Sequence, residues 1–261
     1  MIQIKNLNKT IDSKVILNGV NLEVDDGKTL CIIGKSGSGK SVLLKHIVGL
    51  MYPDSGNVFI DSLDVTSLSR QQLFNLRKRI GYVFQSAALF DSLNVFENVV
   101  LKLYEHNVRD ENILKMEAKK VLSSVGLLPD IKEKDTVNFE KEWLSLANKS
   151  ISELSGGMKK RVGIARALVG SPRYILYDEP TTGLDPITSE QIDKLIFNLT
   201  LKLQITSIVI THDMFSVYNL NCDIAMLHDG KIHFYGNNKD FQNSNDTIIK
   251  EFLERYKNTH N

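Results

Sequence analysis

The sequence contains little cysteine, almost no net charge and no long apolar run, and each of these shortages argues against a class of protein. Cys31 and Cys222 are too few and too unpatterned to suggest a disulfide framework, so we expect a reducing compartment. The 32 basic and 31 acidic side chains leave a net charge of +1, which gives no support for a large nucleic-acid footprint. No run approaches the roughly 20 apolar residues that span a bilayer, and "MIQIKNLNKT" does not resemble a signal peptide. We therefore expect a soluble chain, or one that a partner holds at a membrane.

What is present is an ordinary globular composition in which short apolar strands alternate with helices. The chain of 261 residues is 42% hydrophobic and 24% charged, which suits one large domain. Buried strands are predicted at "TLCIIG", "YILYDEP" and "TSIVITHD", with helices between them, and about residues 86–165 form a mainly helical lobe. The Asp229-Gly230 pair predicts a tight antiparallel hairpin. The alternation predicts an α/β fold with a mostly parallel sheet and an inserted helical lobe.

The stretch "GKSGSGKS", residues 34–41, follows a predicted strand directly and opens a predicted helix. It matches the phosphate-loop pattern G-x-x-x-x-G-K-S in full. Its glycines allow backbone N–H groups to turn around a phosphate, while Lys40 adds a positive charge and Ser41 offers a ligand for Mg²⁺. A flexible glycine-serine turn is the alternative, but the flanking strand and helix favour an anion at the helix N-terminus.

Two adjacent acids end the apolar strand "YILYDEP", residues 174–180. Carboxylate oxygens are ligands for Mg²⁺, which gives Asp178 a role beside a phosphate. Glu179 would take a proton from, or orient, the water that attacks a terminal phosphate. An acidic loop after a core strand is the alternative, and the phosphate loop in the same chain favours the catalytic interpretation.

Two further polar residues follow predicted strands. Gln85 comes after "IGYVF" and His212 comes after "TSIVIT", at strand ends where such sheets place ligand-contacting residues. Each signal is weak alone, because a glutamine there can simply cap a turn and a lone histidine is commonly structural.

A second glycine-rich stretch, "LSGGM", covers residues 154–158. Ser155 offers a hydroxyl donor, and Gly156 and Gly157 allow close backbone approach to a ligand. A helix predicted from about Gly157 would turn its positive end towards an anion. The basic residues 159–161 that follow could strengthen that field, although we favour a solvated helix face for most of them.

The motifs occur in a specific order: "GKSGSGKS", Gln85, "LSGGM", "YILYDE", "GLD" at 183–185, and His212. In this order the chain resembles the ATP-binding subunit of an ABC transporter along nearly its whole length. The resemblance implies a P-loop NTPase fold of the ABC type in a single domain, residues 1–261. Residues 1–85 and 166–261 would form a RecA-like α/β core with a β subdomain, and about 86–165 would form the helical subdomain.

The resemblance also implies ATP hydrolysis with Mg²⁺ by a homodimer whose chains meet head to tail. "LSGGM" of one chain would close over the ATP that "GKSGSGKS" of the other chain holds. Glu179, His212 and Gln85 would be catalytic, with His212 at the γ-phosphate, and Asp185 would bridge the chains. The implied nucleotide-binding residues are Gly34, Lys35, Ser36, Gly37, Ser38, Gly39, Lys40, Ser41, Val42, Ser155, Gly156, Gly157 and Asp185. The implied metal ligands are Ser41, Gln85 and Asp178.

The stretch "RKRIGYVFQSAALFDSLNVFENV", residues 77–99, resembles more narrowly the ATPases of MCE-type lipid transporters, such as the bacterial pathway that maintains outer-membrane lipid asymmetry. "LSGGMKKRVGIARAL" and "GLDPIT" are also close to that subgroup. This implies phospholipid transport through a membrane permease with an MCE-type lipid-binding subunit, the ATPase lying peripherally at the cytoplasmic face of the inner membrane. An apolar cluster after Gln85 would seat the permease, or alternatively belong to the core of the helical lobe. Its members are Ala87, Ala88, Leu89, Phe90 and Leu93.

Three features depart from the family's pattern. The aromatic residue that stacks on adenine is missing, and "NKTIDSKV" offers only Thr10, Ile11 and Val15 for apolar contact. The segment 128–152 is longer than usual, which suggests an extra helix that touches the permease or a neighbouring subunit. Met158 stands where Gln is common, as it does in the lipid-transport subgroup.

A soluble ABC ATPase of iron–sulfur cofactor assembly is the alternative function. Such chains have similar length and motifs but no permease, and the apolar cluster after Gln85 weighs against this alternative. ABC proteins of DNA repair or translation carry long coiled-coil arms or two nucleotide domains in one chain, and this sequence has neither.

Overall fold

A computed structural model describes residues 1–131 and 136–258. The strands in this part of the chain are β1 (Ile2–Ile11), β2 (Lys14–Val24), β3 (Thr29–Ile33), β4 (Ser55–Ile60), β5 (Leu63–Asp64), β6 (Ile80–Val83), β7 (Tyr174–Asp178), β8 (Thr206–Ile210), β9 (Asp223–His228) and β10 (Lys231–Gly236). The helices are α1 (Lys40–Ile47), α2 (Arg70–Arg77), α3 (Val95–Glu105), α4 (Glu111–Ser124), α5 (Thr136–Ala147), α6 (Gly156–Leu168), α7 (Pro186–Leu203), α8 (Met214–Leu220), α9 (Asn238–Gln242) and α10 (Thr247–Asn258).

The described residues group into two compact units. The first contains residues 1–77 and 196–258, and the second contains residues 78–195. Helices α3 to α6 all belong to the second unit, which is therefore mainly helical. The narrower helical subdomain that the sequence suggests, about residues 86–165, stays a prediction.

The first unit is built on two sets of strands. An antiparallel sheet has the order β2-β1-β4-β5. In the other set, β3 pairs in parallel with both β8 and β9, and β10 pairs antiparallel with β9. The side chains of β3 and β8 are almost wholly buried, because a strand that is covered on both faces is apolar throughout rather than alternating. The predicted α/β fold with parallel pairing and an antiparallel edge is confirmed.

The hairpin between β9 and β10 follows from its turn residues. Asp229 has φ 46° and Gly230 has φ 75°, and a two-residue turn with both values positive matches the right-handed twist of the flanking strands. The predicted Asp229-Gly230 turn is confirmed.

The two cysteines are a correction to the sequence analysis. Cys31 is buried on β3, as expected, but the structure joins it to Cys222 by a disulfide, although 191 residues separate them. The pairing of β3 with β9 sets Cys31 opposite Ile224, two residues beyond Cys222. Spacing along the chain could not show this neighbourhood, and the cysteine argument for a reducing compartment falls with it.

The second unit places a parallel strand pair against helices. Strand β6 pairs with β7, and α6 packs against β6, α3 and α4. At Gly81 on β6 an added Cβ would lie only 2.4 Å from the backbone oxygen of Ala167 on α6, so the close approach of strand and helix requires glycine.

Two apolar stripes at helical spacing are buried in the second unit. The first stripe belongs to α4 and the residue after it, and the second belongs to α5, where the ring of Trp143 meets the edge of Phe96 at 5.7 Å. The stripes contain Leu114, Ala118, Val121, Leu122 and Val125, and then Phe139, Trp143, Leu146 and Ala147. The extra helix suggested for residues 128–152 corresponds to α5, while residues 132–135 of that segment lie outside the described residues.

Candidate functional site

The phosphate loop connects β3 to α1 in the first unit. Gly34, Gly37 and Gly39 have φ values of 152°, 76° and 103°, a region of backbone conformation that favours glycine. At Gly34 an added Cβ would also lie 2.4 Å from the backbone oxygen of Leu227, so the loop begins in a tight cradle. Gly39 is the N-cap of α1, and no side chain caps the helix there because glycine has none. The helix therefore presents its positive N-terminal end at the loop.

The polar side chains of this loop fit an anion. The ammonium of Lys40, whose side chain is 5% exposed, donates to the backbone oxygens of Gly34 and Lys35 at 2.9 and 3.0 Å. Both oxygens belong to the loop, so the positive charge of Lys40 is held beside the loop backbone. The hydroxyl oxygen of Ser38 is buried without a hydrogen-bond partner among the described residues. A buried orphan of this kind is expected where a ligand completes the site.

His212 belongs to the same unit and lies at the matching strand end. The backbone N–H of Thr211 donates to the oxygen of Ile32 at 3.3 Å, so the residues after β8 run beside the end of β3. His212 is exposed, and Asp213 caps α8 by accepting from the N–H of Phe215 at 2.8 Å. The parallel pairing of β3 and β8 thus brings the phosphate loop and His212 to one edge of the strands, as the sequence predicts.

The paired acids lie at the end of β7 in the second unit. Tyr82 on β6 is in register with Leu176, and residues 176 and 178 share a face because side chains alternate along a strand. The hydroxyl of Tyr82 accordingly donates to Asp178 Oδ2 at 3.1 Å. Burial, together with the charge of Asp178 and this hydrogen bond, raises the pKa of Tyr82. Tyr82 therefore remains a neutral donor that orients the carboxylate.

Glu179 is held by two polar side chains from different segments. Gln85 Nε2 donates to Glu179 Oε2 at 3.1 Å, and the hydroxyl of Thr182 donates to the same oxygen at 2.9 Å. Glu179 also has φ 50°, an uncommon value for a residue with a Cβ, and strained backbone of this kind clusters at functional sites. The structure thus brings Gln85, Asp178 and Glu179 together at adjacent ends of β6 and β7.

The residues of "LSGGM" open α6. Ser155 is the N-cap, and its hydroxyl oxygen accepts from the N–H of Met158 at 3.3 Å, which leaves the hydroxyl proton able to donate elsewhere. Added Cβ atoms at Gly156 and Gly157 would lie 3.4 Å from Leu184 and 2.8 Å from Thr188, so this helix end packs on the turn before α7 and on the first turn of α7. The helix begins at Gly156, one residue before the predicted start.

Asp185 caps the neighbouring helix. Its Oδ1 accepts from the N–H of Thr188 at 3.0 Å. Hydrogen bonds from the side chain and the backbone of Thr188 lower the pKa of Asp185. Helix α7 begins at Pro186, directly after Asp185. Asp185 is thereby fixed between Leu184 and Thr188, the two residues that approach the glycines of "LSGGM".

The apolar cluster after Gln85 divides between core and surface. Ala87 is buried, with its Cβ 3.2 Å from the position that a Cβ on Gly163 would take, whereas Phe90 is 52% exposed. Asn98, fully buried on α3, accepts from the N–H of Phe90 and donates to the oxygens of Phe90, Leu93 and Asn94. Ala87 therefore belongs to the core, whereas contact of the cluster with a permease stays a prediction, and Phe90 presents an exposed aromatic side chain on a fixed loop.

Sequence reasoning missed three residues of the second unit: Tyr82, Lys160 and Thr182. Tyr82 lies on a strand and Thr182 in a turn, and neither spacing nor residue type marks them. Lys160 lay within the basic run for which we favoured a solvated face, yet it is 7% exposed and its ammonium donates to the backbone oxygen of Gln85 at 2.5 Å. Lys160 lies at helical spacing from Gly163 and Ala167, which approach Ala87 and Gly81, so the face of α6 that meets β6 and the loop after it was the signal that could have identified it.

The described residues offer neither a cluster of metal-binding side chains nor a membrane-spanning helix. No group of three or more His, Cys, Asp or Glu side chains in that part of the chain is arranged to hold a metal ion. None of the described helices is both long enough and apolar enough to cross a bilayer.

Comparison with protein families identifies the class. The family model described as "ABC transporter" matches residues 17–182, well over half of the chain. The chain belongs to the ABC transporter family, as the order of its motifs predicts.

Individual relatives agree over nearly the whole chain. The intermembrane phospholipid transport system ATP-binding protein MlaF of Haemophilus influenzae is 36% identical over 254 residues, which cover 97% of this chain and 90% of that protein. The methionine import ATP-binding protein MetN of Carboxydothermus hydrogenoformans is 40% identical over 257 residues, covering 97% of this chain and 71% of that protein.

Solved structures confirm the fold. A dimeric ATP-binding cassette in a post-hydrolysis state with ADP and Pi is 32% identical and has a TM-score of 0.76, with 91% of this chain and 98% of that chain covered. CbiO1 of Clostridium perfringens, part of an ABC transporter complex, is 28% identical with a TM-score of 0.79, covering 99% of this chain and 97% of that chain. The ABC-type P-loop fold is that of this chain.

Proposed function

We propose that this chain hydrolyses ATP as the nucleotide-binding subunit of a membrane transporter whose cargo is phospholipid. The observation that carries the catalytic part is the hydrogen bond of Gln85 to a strained Glu179 beside Asp178, in a chain that also carries a complete phosphate loop. A general base is oriented by a hydrogen-bonding partner, and phosphoryl transfer also uses a metal ligand beside it; this cluster offers side chains for both roles.

The proposed roles divide the reaction between binding and turnover. The backbone of residues 34–42 and the ammonium of Lys40 bind the phosphates, with Ser38 as a further hydroxyl donor. Glu179 accepts a proton from the attacking water, while Gln85 orients Glu179 and His212 donates to the γ-phosphate. The buried charge of Lys40 stabilises negative charge on the transferred group.

The ligands that the sequence predicts for Mg²⁺ suit that ion by their chemistry. In the first unit Ser41 offers a hydroxyl, and in the second unit Gln85 and Asp178 offer an amide oxygen and a carboxylate. Mg²⁺ is usually bound by one or two protein carboxylates together with phosphates and waters. When bound, the ion neutralises charge on the phosphates. Tyr82 holds the Asp178 carboxylate in one orientation, which favours a reproducible ligand position.

In this proposal the residues of "LSGGM" act on a second copy of the chain. Ser155, Gly156 and Gly157 are exposed or half-buried at the start of α6, so the helix end is available to a ligand. In the proposed head-to-tail homodimer this end contacts the ATP of the partner, and Asp185 on the adjacent turn lies at the interface. The dimeric state of the similar ATP-binding cassette supports this arrangement.

The phospholipid cargo rests on the similarity to MlaF, which spans 97% of this chain and 90% of that protein. Under this proposal the chain lies peripherally at the cytoplasmic face of the inner membrane, bound to permease subunits, and an MCE-type subunit carries the lipid. The exposed Phe90, and Phe84 at 42% exposure, offer apolar contacts to a permease. Val15, 57% exposed on β2, replaces the missing aromatic with an apolar contact to adenine.

Import of a small solute is a second candidate. The identity to MetN, 40%, exceeds that to MlaF, but this chain covers only 71% of MetN. The phospholipid proposal is preferred because the match extends over a larger part of the relative.

The test is an affinity purification of the Glu179→Gln chain from detergent-solubilised native membranes, followed by mass spectrometry of proteins and lipids. The proposal expects a polytopic permease, an MCE-domain protein and bound phospholipid. The unmodified chain, purified in the same way, should hydrolyse ATP with Mg²⁺.

Other outcomes are informative. A solute-binding protein in place of the MCE subunit, with no lipid, would establish the import candidate. Recovery with soluble scaffold proteins alone would establish the cofactor-assembly alternative. Absence of ATP hydrolysis in every preparation would overturn the catalytic proposal itself.

A further inference from the structure

Cations of α6 hold the loop that carries Gln85. Arg166 donates through Nη2 to the oxygen of Ala87 at 2.7 Å and through Nη1 to the oxygen of Ala88 at 2.8 Å. Ala87 and Ala88 have φ values of 60° and 46°, which are unfavourable for residues with a Cβ. Lys160, on the same helix, donates to the oxygen of Gln85 at 2.5 Å. Three hydrogen bonds, to the backbone oxygens of Gln85, Ala87 and Ala88, therefore fix a strained segment of backbone to one helix.

Lys160 is the unusual member of this set because its charge is buried. Its side chain is only 7% exposed, and a buried ammonium is costly unless it is hydrogen-bonded or paired. Burial lowers the pKa of Lys160, while the nearby charge of Glu179 opposes that change. The ammonium thus lies within electrostatic reach of the proposed general base, with the Gln85 backbone as its hydrogen-bond acceptor.

The contacts form a continuous path within residues 78–195. The Lys160 ammonium holds the backbone of Gln85, and the amide of Gln85 donates to the Glu179 carboxylate at 3.1 Å. We propose that Lys160 is a positioning residue, which fixes Gln85 and, through it, the orientation of Glu179 for ATP hydrolysis. This inference rests on the proposed role of Glu179 and deepens it.

Lys160 and Arg166 contact different residues of the loop, and this difference distinguishes their roles. Arg166 holds two alanines, which carry no functional group, so its contribution is to the shape of the loop. Lys160 holds Gln85, and the side chain of Gln85 donates a hydrogen bond to Glu179. Loss of Lys160 should therefore affect turnover more than nucleotide binding, since the phosphate loop contributes no atom to this path.

The experiment compares Lys160→Met, Lys160→Arg and the control Lys194→Met in the affinity-purified full chain with the subunits that accompany it. Lys194 is 64% exposed and pairs with Glu190 on α7, so its removal deletes a surface charge only. Lys160→Met should lower kcat for Mg-ATP about tenfold, because the Gln85 backbone loses a hydrogen bond from a charged donor. KM for ATP should stay within about twofold, Lys160→Arg should recover most of the activity, and Lys194→Met should match the unmodified chain.

A double variant tests the path itself. If Lys160 acts through Gln85, then Lys160→Met should cost nothing further in a Gln85→Ala chain, whereas independent effects would multiply. Multiplying effects, or a loss of ATP affinity equal to the loss of kcat, would overturn the positioning role.

Two controls keep the outcome interpretable. If Lys160→Met does not fold, as judged by thermal melting, Lys160→Ala replaces it, because alanine suits a helix and carries no hydrogen-bond donor; unchanged kcat together with an unchanged Gln85→Ala effect in Lys160→Ala would again overturn the role. If Glu179→Gln hydrolyses ATP at the normal rate, the general-base assignment fails whatever Lys160 does. If Glu179→Gln is inactive and Lys160→Met is fully active, only the positioning role fails.

Discussion

The phosphate loop and the carboxylate cluster are built in different ways, although each lies at the end of parallel strands. The loop is one continuous stretch, residues 34–41, whose conformation depends on its own glycines and whose charge, on Lys40, is held by its own carbonyls. The cluster around Glu179 is assembled from separate segments that supply Tyr82, Gln85 and Thr182. The first arrangement suits binding of a phosphate by backbone, and the second suits fine orientation of a base and a metal ligand. The two should therefore fail differently when they are mutated.

The largest expected effect is at the carboxylate cluster. Glu179→Gln keeps the shape of the side chain but removes the proton acceptor, so kcat should fall about a thousandfold. ATP affinity should be retained, because the phosphate loop is untouched, and the closed dimer should accumulate. Steady-state ATPase assays and nucleotide-binding titrations measure the two quantities separately.

The matched control for this variant is Glu190→Gln on α7, where the carboxylate is 50% exposed and pairs with Lys194. This control should show normal kcat. Normal turnover in Glu179→Gln would remove the general base from the carboxylate cluster and leave the comparison without its catalytic half.

Lys40→Ala should break the other region in the opposite sense. Because the proposed mechanism gives the buried ammonium charge-assisted hydrogen bonds to the phosphates, its loss should weaken ATP binding about a hundredfold. Lys45→Ala, an exposed position on the same helix, is the control and should bind normally. Equal ATP affinity in Lys40→Ala and Lys45→Ala, measured by titration calorimetry, would show that the loop does not hold the phosphates through Lys40.

The same difference explains how much could be predicted from the sequence. The phosphate loop is contiguous, so its glycines, Lys40 and the following helix were all predictable from one stretch of residues. Lys160 and Tyr82 could not be predicted in this way, since their roles depend on which face of α6 and of β6 meets a distant segment. The Cys31–Cys222 bond was missed for the same reason, because strand pairing brings together residues that are 191 positions apart.

A smaller effect is expected at Tyr82, which orients Asp178 without touching the phosphates in the proposed mechanism. Tyr82→Phe removes the hydroxyl that donates to Asp178 Oδ2 and keeps the ring packed against Phe84, at 4.5 Å between centroids. Loss of a group that orients a metal ligand should raise the Mg²⁺ concentration for half-maximal ATPase activity about tenfold. Activation curves with Mg²⁺ at saturating ATP measure this shift, and an unchanged curve would confine Tyr82 to a packing role.

The smallest effect concerns α1, the helix that follows the phosphate loop. It is measured as a change in the free energy of unfolding and not in turnover. His46 on α1 is 1% exposed, its Nδ1 contacts the oxygen of Val42 at 2.7 Å, and Nε2 is buried without a partner among the described residues. Burial lowers the pKa of His46 below its ordinary value of 6.5, with the charge of Lys9 acting in the same direction and that of Asp54 opposing it. Below pH 6.5 the unfolded chain therefore binds more protons at this position than the folded chain does, and stability should fall as the pH drops, by at most about 1.4 kcal/mol per pH unit from this group. Urea unfolding at pH 7.5 and at about pH 5.5 should show a shallower decline for His46→Leu than for the unmodified chain; equal slopes would mean that the buried ring does not govern the acid sensitivity of this region.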